Sequence, residues 1–223
     1  MALSFDGSSD LLSKNAALFS GASDQDFNIS MVAWCRPDNK HQGTIIGADN
    51  GSGYADQFSI WCVSGGRFRV RYESSYITGS AAFSNGNSTW FHVAAVWEYS
   101  DRWLYLNGTQ DATNSTNRQM EVGNADNLYI GSNRLDERFE GAIAETAAYN
   151  ASLTADEIAA LAAGYSPLFI RPDALVGYWP LGGISYPADY ADVSQGNDLT
   201  ATGSPAIVDH PPVIYPTSPA ILT

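Results

Sequence analysis

Three arginines spaced two apart are the first residues in this chain that could do chemistry. On a strand, Arg67, Arg69 and Arg71 project from one face while Phe68, Val70 and Tyr72 project from the other. Guanidiniums in a row suit a carboxylate-bearing partner or an acidic glycan; the plainer use is cross-strand pairing with the chain's own acids. Aromatic rings beside polar groups can stack on sugars, and Tyr54, Tyr76, Tyr99 and Trp103 lie in or beside segments that read as loops. Trp34, Trp61, Trp90 and Trp97 read instead as core. Calcium, a hard cation, would take oxygen ligands from Asp6, Asp10, Asp49 and Asp56, for which the plainer reading is solvated turn aspartates. No motif requires a cofactor.

Cleaving a glycosidic bond with retention would need two carboxyl groups roughly 5 Å apart. Asp136-Glu137-Arg138-Phe139-Glu140 has the wrong spacing and falls at a turn, and Glu145 stands alone among alanines. His41, His92 and His210 are scattered, with neither a Gly-x-Ser-x-Gly nor a Cys-His pairing. His92, in mid-strand, reads as a satisfied core or sheet-face histidine. The expectation is a protein that is not an enzyme.

The elements that must position these residues are short strands. Phe27 to Arg36 is a strand-like run stopped by Pro37-Asp38-Asn39. Gly43 to Gly47 and Phe58 to Val63 bracket a loop, and Ser64-Gly65-Gly66 turns the chain into Arg67 to Tyr72. Trp90 to Trp97 is another strand. Trp103 to Leu106 runs into Asn107-Gly108, a strong hairpin signal. Leu128 to Gly131 and Gly141 to Tyr149 follow. Thr154 and Glu157 then form a capping box for a short helix to Ala163, closed by Gly164. This pattern predicts an all-β jelly-roll sandwich with one short C-terminal helix.

Several of these segments, in this order, resemble the laminin-G-like, concanavalin A-type domains, a group that includes the pentraxins. They are Leu3 to Asp10, Phe27 to Trp34, Trp90 to Trp97 with Leu104 to Gly108, Leu128 to Gly131, and the strand-then-helix close from Gly141 to Ile158. The resemblance covers about residues 2–165 and implies a binding or assembly scaffold. It also sharpens two expectations. The fold's β-glucanases carry Glu-x-Asp-x-x-Glu on one strand, which is missing here. The family's frequent Ile-Asp-Glu reads Ile143-Ala144-Glu145, which removes one carboxylate from a calcium site.

Residues 166–223 differ in texture. Nine of the chain's ten prolines lie there, favouring extended, edge-lying backbone, yet Leu175 to Leu181 and Val213 to Tyr215 are apolar enough to need burial. The division expected is a sandwich over 1–165 and a Pro-rich arm over 166–223, with Tyr178, Trp179, Leu181, Ile214 and Tyr215 docking on the same sandwich or on a neighbouring copy. In relatives of this fold a Tyr-Trp-Pro-Leu strand and an Asn-Asp-Leu-Thr segment precede the Phe-Asp-Gly strand. Here Tyr178 to Leu181 and Asn197 to Thr200 follow the closing helix, so the order looks permuted. The wording of the tail, from Ser166-Pro167-Leu168 to Asp209-His210-Pro211-Pro212, resembles tailed-bacteriophage virion proteins.

The bulk properties narrow the partners. Eleven basic residues against 24 acidic give a net charge of −13, which repels phosphate backbones and anionic lipid, so neither nucleic acid nor membrane is expected. The N-terminus has no basic region followed by an apolar run, and no stretch approaches a membrane span. Without a signal, the Asn-x-Ser/Thr sequons at Asn28, Asn50, Asn87, Asn107, Asn114 and Asn150 read as turn and strand chemistry. Cys35 and Cys62 read as buried free thiols, and a disulfide would require their strands to pair in register. Two roles result. One is a virion decoration protein, assembled in the host cytoplasm with other virion proteins and with copies of itself. The other is a carbohydrate-binding module, with calcium as an optional ion.

Overall fold

The computed structural model describes residues 1–15, 18–19, 28–39, 42–50, 58–72, 74–86, 88–99, 101–115, 127–133, 136–182 and 190–214. In chain order its strands are β1 (Ala2–Asp6), β2 (Leu11–Asn15), β3 (Asn28–Pro37), β4 (Gly43–Asp49), β5 (Phe58–Val63), β6 (Arg67–Tyr72), β7 (Ser75–Ala82), β8 (Phe91–Glu98), β9 (Asp101–Leu106) and β10 (Thr109–Ser115). They continue as β11 (Asn127–Ile130), β12 (Glu140–Tyr149), β13 (Leu175–Trp179), β14 (Thr200–Thr202) and β15 (Ala206–Val208). Helix α1 (Ala155–Ala162) follows β12. All the strand pairs are antiparallel. The first sheet runs β10-β9-β8-β3-β12-β1-β15, with β13 also on β12; the second runs β14-β2-β11-β4-β5-β6-β7.

Period-two alternation decides which side chains meet between the sheets. On β3, Ile29, Met31, Ala33 and Cys35 enter the core, as do Val93, Ala95 and Trp97 on β8 and Phe58, Ile60 and Cys62 on β5. The opposite face of the first sheet is also covered. Val32, Ala94, Val96 and Tyr149 pack there under Ile158 and Leu161 of α1. The helix starts as its sequence predicts: Thr154 Oγ1 accepts from Glu157 N, and the Glu157 carboxylate accepts from Thr154 N at 2.7 Å. At the β9–β10 turn, Asn107 and Gly108 both have positive φ (49° and 80°), the conformation an Asn-Gly hairpin supplies cheaply.

Cys35 and Cys62 are both free and buried. They belong to different sheets, so the register a cross-strand disulfide needs does not arise. Burial pushes both thiols up, and Cys62 raises Cys35 further.

The tail builds into the sheets of its own chain. β12 offers one edge to two strands end to end: β1 pairs with Glu140 to Ile143, and β13 pairs with Thr146 to Tyr149. Between them lies a bulge at Glu145, whose φ is +52°. Glu145 N donates to Pro180 O, so the Tyr-Trp-Pro-Leu segment leaves the sheet at the kink. β14 extends the second sheet beside β2, and β15 extends the first beside β1. Tyr178, Trp179 and Leu181 are buried, while Ile214 is half exposed and bridges Tyr165; Tyr215 lies outside the described residues.

Two expectations about single residues need correcting. Glu145 does not stand alone: it is buried and accepts a hydrogen bond from Tyr178 Oη, and its Oε1 lies 2.8 Å from His210 Nε2, an ion pair only when the imidazole is protonated. His92 is not satisfied. Its ring is buried on the outer face of the first sheet, edge-on to Trp34 at 5.4 Å, and its Nδ1 has no partner among the described residues. Burial pushes its pKa down to about 3.

Two outcomes are expected. A chain ending at Tyr165 loses Trp179 and Tyr178 from the core, at about 3–5 kcal/mol for each large aromatic. It should melt far below the full chain or fail to fold; an unchanged cooperative melt by circular dichroism would show that the sandwich does not need its tail. His92 should also make stability pH-dependent. From its ordinary value near 6.5 down to about 3, the unfolded chain holds a proton that the folded chain refuses. Stability should therefore fall with pH across that window, by up to about 1.4 kcal/mol per pH unit. Urea midpoints of wild type and His92→Gln, compared across pH, should differ by that one-proton slope, and parallel curves would disprove it.

Candidate functional site

The hairpin register fixes what lies beside the arginine row. Three residues, Ser64-Gly65-Gly66, connect β5 to β6, so Val63 faces Arg67, Trp61 faces Arg69 and Ser59 faces Arg71. On the next strand Arg69 faces Thr78 and Arg71 faces Tyr76. These side chains share the outer face of the second sheet. Because α1 packs against β8 and β10, the helix leaves that face uncovered.

The aromatic and cationic groups interleave. The Arg71 guanidinium carbon sits 3.6 Å from the centroid of the Trp61 ring. That of Arg69 lies 4.2 Å from Tyr76 and 5.9 Å from Trp61, and the Trp61 and Tyr76 rings are 6.0 Å apart. Each such contact is worth about 0.5–2 kcal/mol, more as water is excluded. Trp61 is almost fully buried, whereas Tyr76 is 50% exposed.

Glu137 holds this ladder at one end. Its two carboxylate oxygens accept from Arg71 Nη1 and Nη2 at 3.3 Å each, a bidentate pair in which both side chains are largely buried. Asn133 Nδ2 and Gln42 Nε2 also donate to Glu137, and Thr44 N donates to its carbonyl oxygen at 2.9 Å. Thr44 Oγ1, Ser59 Oγ and Trp61 Nε1 lie buried on this face with no hydrogen-bond partner among the described residues.

The structure thus brings Arg69, Arg71 and Tyr76 together, with exposed Arg67 next along β6. Tyr76 is on edge strand β7 rather than in a loop. Trp61 corrects the core expectation: it is absent from the inter-sheet cluster that holds Trp97 and sits on the opposite face of β5. Trp34 and Trp90 are likewise outside that cluster, half-buried beside His92 and under Arg36 respectively. Tyr99 and Trp103 belong to the first sheet's side: Tyr99 is exposed in the β8–β9 turn, and Trp103 packs against the cluster under α1. Tyr54 and Asp56 lie outside the described residues.

The aspartates divide between two places. Asp6 accepts from the backbone N–H groups of Ser8, Ser9 and Asp10, and these bonds hold its carboxyl well below the usual range. Asp10 accepts from Asp6 N and Ser204 N. Asp49 is buried at the end of β4, opposite Asn127, which in turn faces Asn15 at the far end of β2 from Asp10. Roughly 16 Å of strand separates them at about 3.3 Å per residue. Among the described residues no three of His, Cys, Asp and Glu are grouped to hold a metal ion.

The sequence analysis missed Trp61, Glu137 and Asn133. Trp61 was legible, because Phe58, Ile60 and Cys62 set the core phase of β5 and leave Ser59 and Trp61 in the other. Glu137 reaches Arg71 from 66 residues away, and nothing local announces that contact.

With this geometry in place, comparison with known proteins decides the family. The model of the concanavalin A-like lectin/glucanases superfamily matches residues 6–159. The chain belongs to that superfamily. A search of curated proteins found no match. Among solved structures, this superfamily member is similar to a Bacteroides ovatus protein provisionally described as carbohydrate-binding, with a TM-score of 0.70 and 17% identity over 96% of this chain and 61% of that one. It thus spans less than two thirds of that protein's length. A native heptameric SAP-like pentraxin from Limulus polyphemus superposes with a TM-score of 0.56 and 16% identity over 90% of both chains. The CBM40 of a Ruminococcus gnavus sialidase, bound to α2,3-sialyllactose, gives 0.52 and 16% identity over 62% of this chain and 84% of that one. At these identities the likeness shows the fold. Among the described residues no helix is long and apolar enough to cross a membrane.

Arg71→Met should cost about 3–5 kcal/mol, because it leaves the Glu137 carboxylate buried without its cation. Adding Glu137→Gln should recover most of that loss in urea denaturation. Equal losses in the single and double variants would show that the pair is not coupled.

Proposed function

We propose that this chain is a non-catalytic carbohydrate-binding module and that the outer face of its second sheet is the sugar-contacting surface. The observation that carries this is the ladder of Tyr76, Arg69, Trp61 and Arg71 on a face without a helical cover. Tyr76 presents a half-exposed ring for stacking on a pyranose, and Arg69, which lies over one face of that ring, is a hydrogen-bond donor. The Bacteroides ovatus and Ruminococcus gnavus proteins, whose descriptions concern carbohydrate, support the reading.

A binding role also suits the carboxylates. Glu137 is consumed by Arg71, Asp136 Oδ1 by Arg138 Nε at 2.6 Å, and Glu145 by Tyr178 and His210. Each has a contact with a side chain of the chain itself, and Asp136 shares its cleft with Glu140. A second reading, a virion surface component that self-associates, draws on one feature. Tyr165, Phe169 and Ile214 are large, apolar and about half exposed where the tail returns.

A glycan array probed with the full chain, with and without calcium, separates the readings. Binding that Tyr76→Ala weakens about tenfold or more, in a variant that still melts cooperatively, supports the sugar face. A chain that binds no glycan and runs as an oligomer in light scattering supports the surface component instead.

A further inference from the structure

Resting on the carbohydrate reading, we propose that this face selects sugars bearing a carboxylate, with Arg69 and Arg67 as the groups that receive it. Of the eight cations among the described residues, Arg71 takes Glu137, Arg138 takes Asp136 and Arg171 takes Glu157. The other five are Lys14, Arg36, Arg67, Arg69 and Arg102, and of these Arg67 and Arg69 lie on the β6 face beside Trp61 and Tyr76. Among the described residues, neither Arg67 nor Arg69 has a carboxylate within salt-bridge distance. They are adjacent on one strand face, roughly 7 Å apart for two residues of antiparallel strand.

Arg69 is held in place by neutral groups alone. Its Nε donates to Thr78 Oγ1 at 2.8 Å, and its plane lies over Tyr76. Anchoring Nε in this way leaves the two terminal nitrogens as a fork, the geometry that meets a carboxylate through two parallel bonds. A neutral sugar stacked on Tyr76 would desolvate that guanidinium without matching its charge. A uronic or sialic acid would match it. Trp61 Nε1 and Thr44 Oγ1, buried in the same cross-strand row, have no hydrogen-bond partner among the described residues. Arg67, exposed at the start of β6, widens the positive surface along the same direction.

Titration calorimetry with the full chain tests this using α2,3-sialyllactose against lactose, and trigalacturonate against its methyl ester, which keeps the shape and removes the charge. At least one acid should bind about tenfold or more tighter than its neutral counterpart, with the preference reduced at high salt. R69Q should abolish the preference while still melting cooperatively, and R67Q, at an exposed position, should reduce it. Equal affinity for acids and neutral counterparts, with Y76A still weakening binding, would overturn acid selection and leave the sugar face standing. A sulfated oligosaccharide bound as tightly as the acids would overturn carboxylate selection. If no glycan binds on the array or in the calorimeter, both proposals fall.

Discussion

The kink at Glu145 is the constraint on which the rest of the sandwich depends. β12 is the strand that both ends of the chain must share, and a straight strand offers one partner along each edge. A bulge placed near its middle lets β1 occupy the first half of that edge and β13 the second. The residue in the strained conformation is a buried acid, whose positive φ costs energy that its contacts with Tyr178, His210 and the Pro180 carbonyl offset. These partners all come from the tail. The strain in β12 and the docking of residues 175–210 therefore support one another. Gly182 lies against Met1, so the Tyr-Trp-Pro-Leu segment ends beside the start of β1.

The two outer faces of the sandwich have different fates. On the first sheet, α1 and the tail cover the alternate residues of β3, β8 and β12, and even a histidine is buried there. On the second, the alternate residues of β5 and β6 are arginine, tryptophan and serine, held by one acid on the segment before β12. One face completes the fold; the other has chemistry left over.

The strands of the hairpins were legible because their alternation is strong and their turns carry Gly or Asn-Gly. β7, β14 and β15 were not, since Ser75 to Ala82 and the short tail strands have little apolar alternation and owe their conformation to neighbours already in place. In the site, Arg67, Arg69 and Arg71 were legible as a row. Their ring partners required a register that sequence supplies only once the β5–β6 turn length is read together with the core phase. Glu137 was set aside as a poor catalytic acid, and its role as a counter-ion depends on a contact between distant segments. Glu145 looked isolated because its partners lie 33 and 65 residues further on.

The two thiols of the core have a consequence for where such a domain can work. Cys35 and Cys62 sit in opposite sheets, fully enclosed, and burial keeps both in the protonated form, which reacts poorly with oxidants and disulfides. No disulfide holds the sheets together; packing closes the sandwich, with hydrogen bonds such as Trp97 Nε1 to Arg71 O and Ser80 N to Asp111 Oδ1 crossing between them. A fold made this way is indifferent to the redox potential around it. It can mature in a reducing environment and then operate in an oxidising one without a change in bonding.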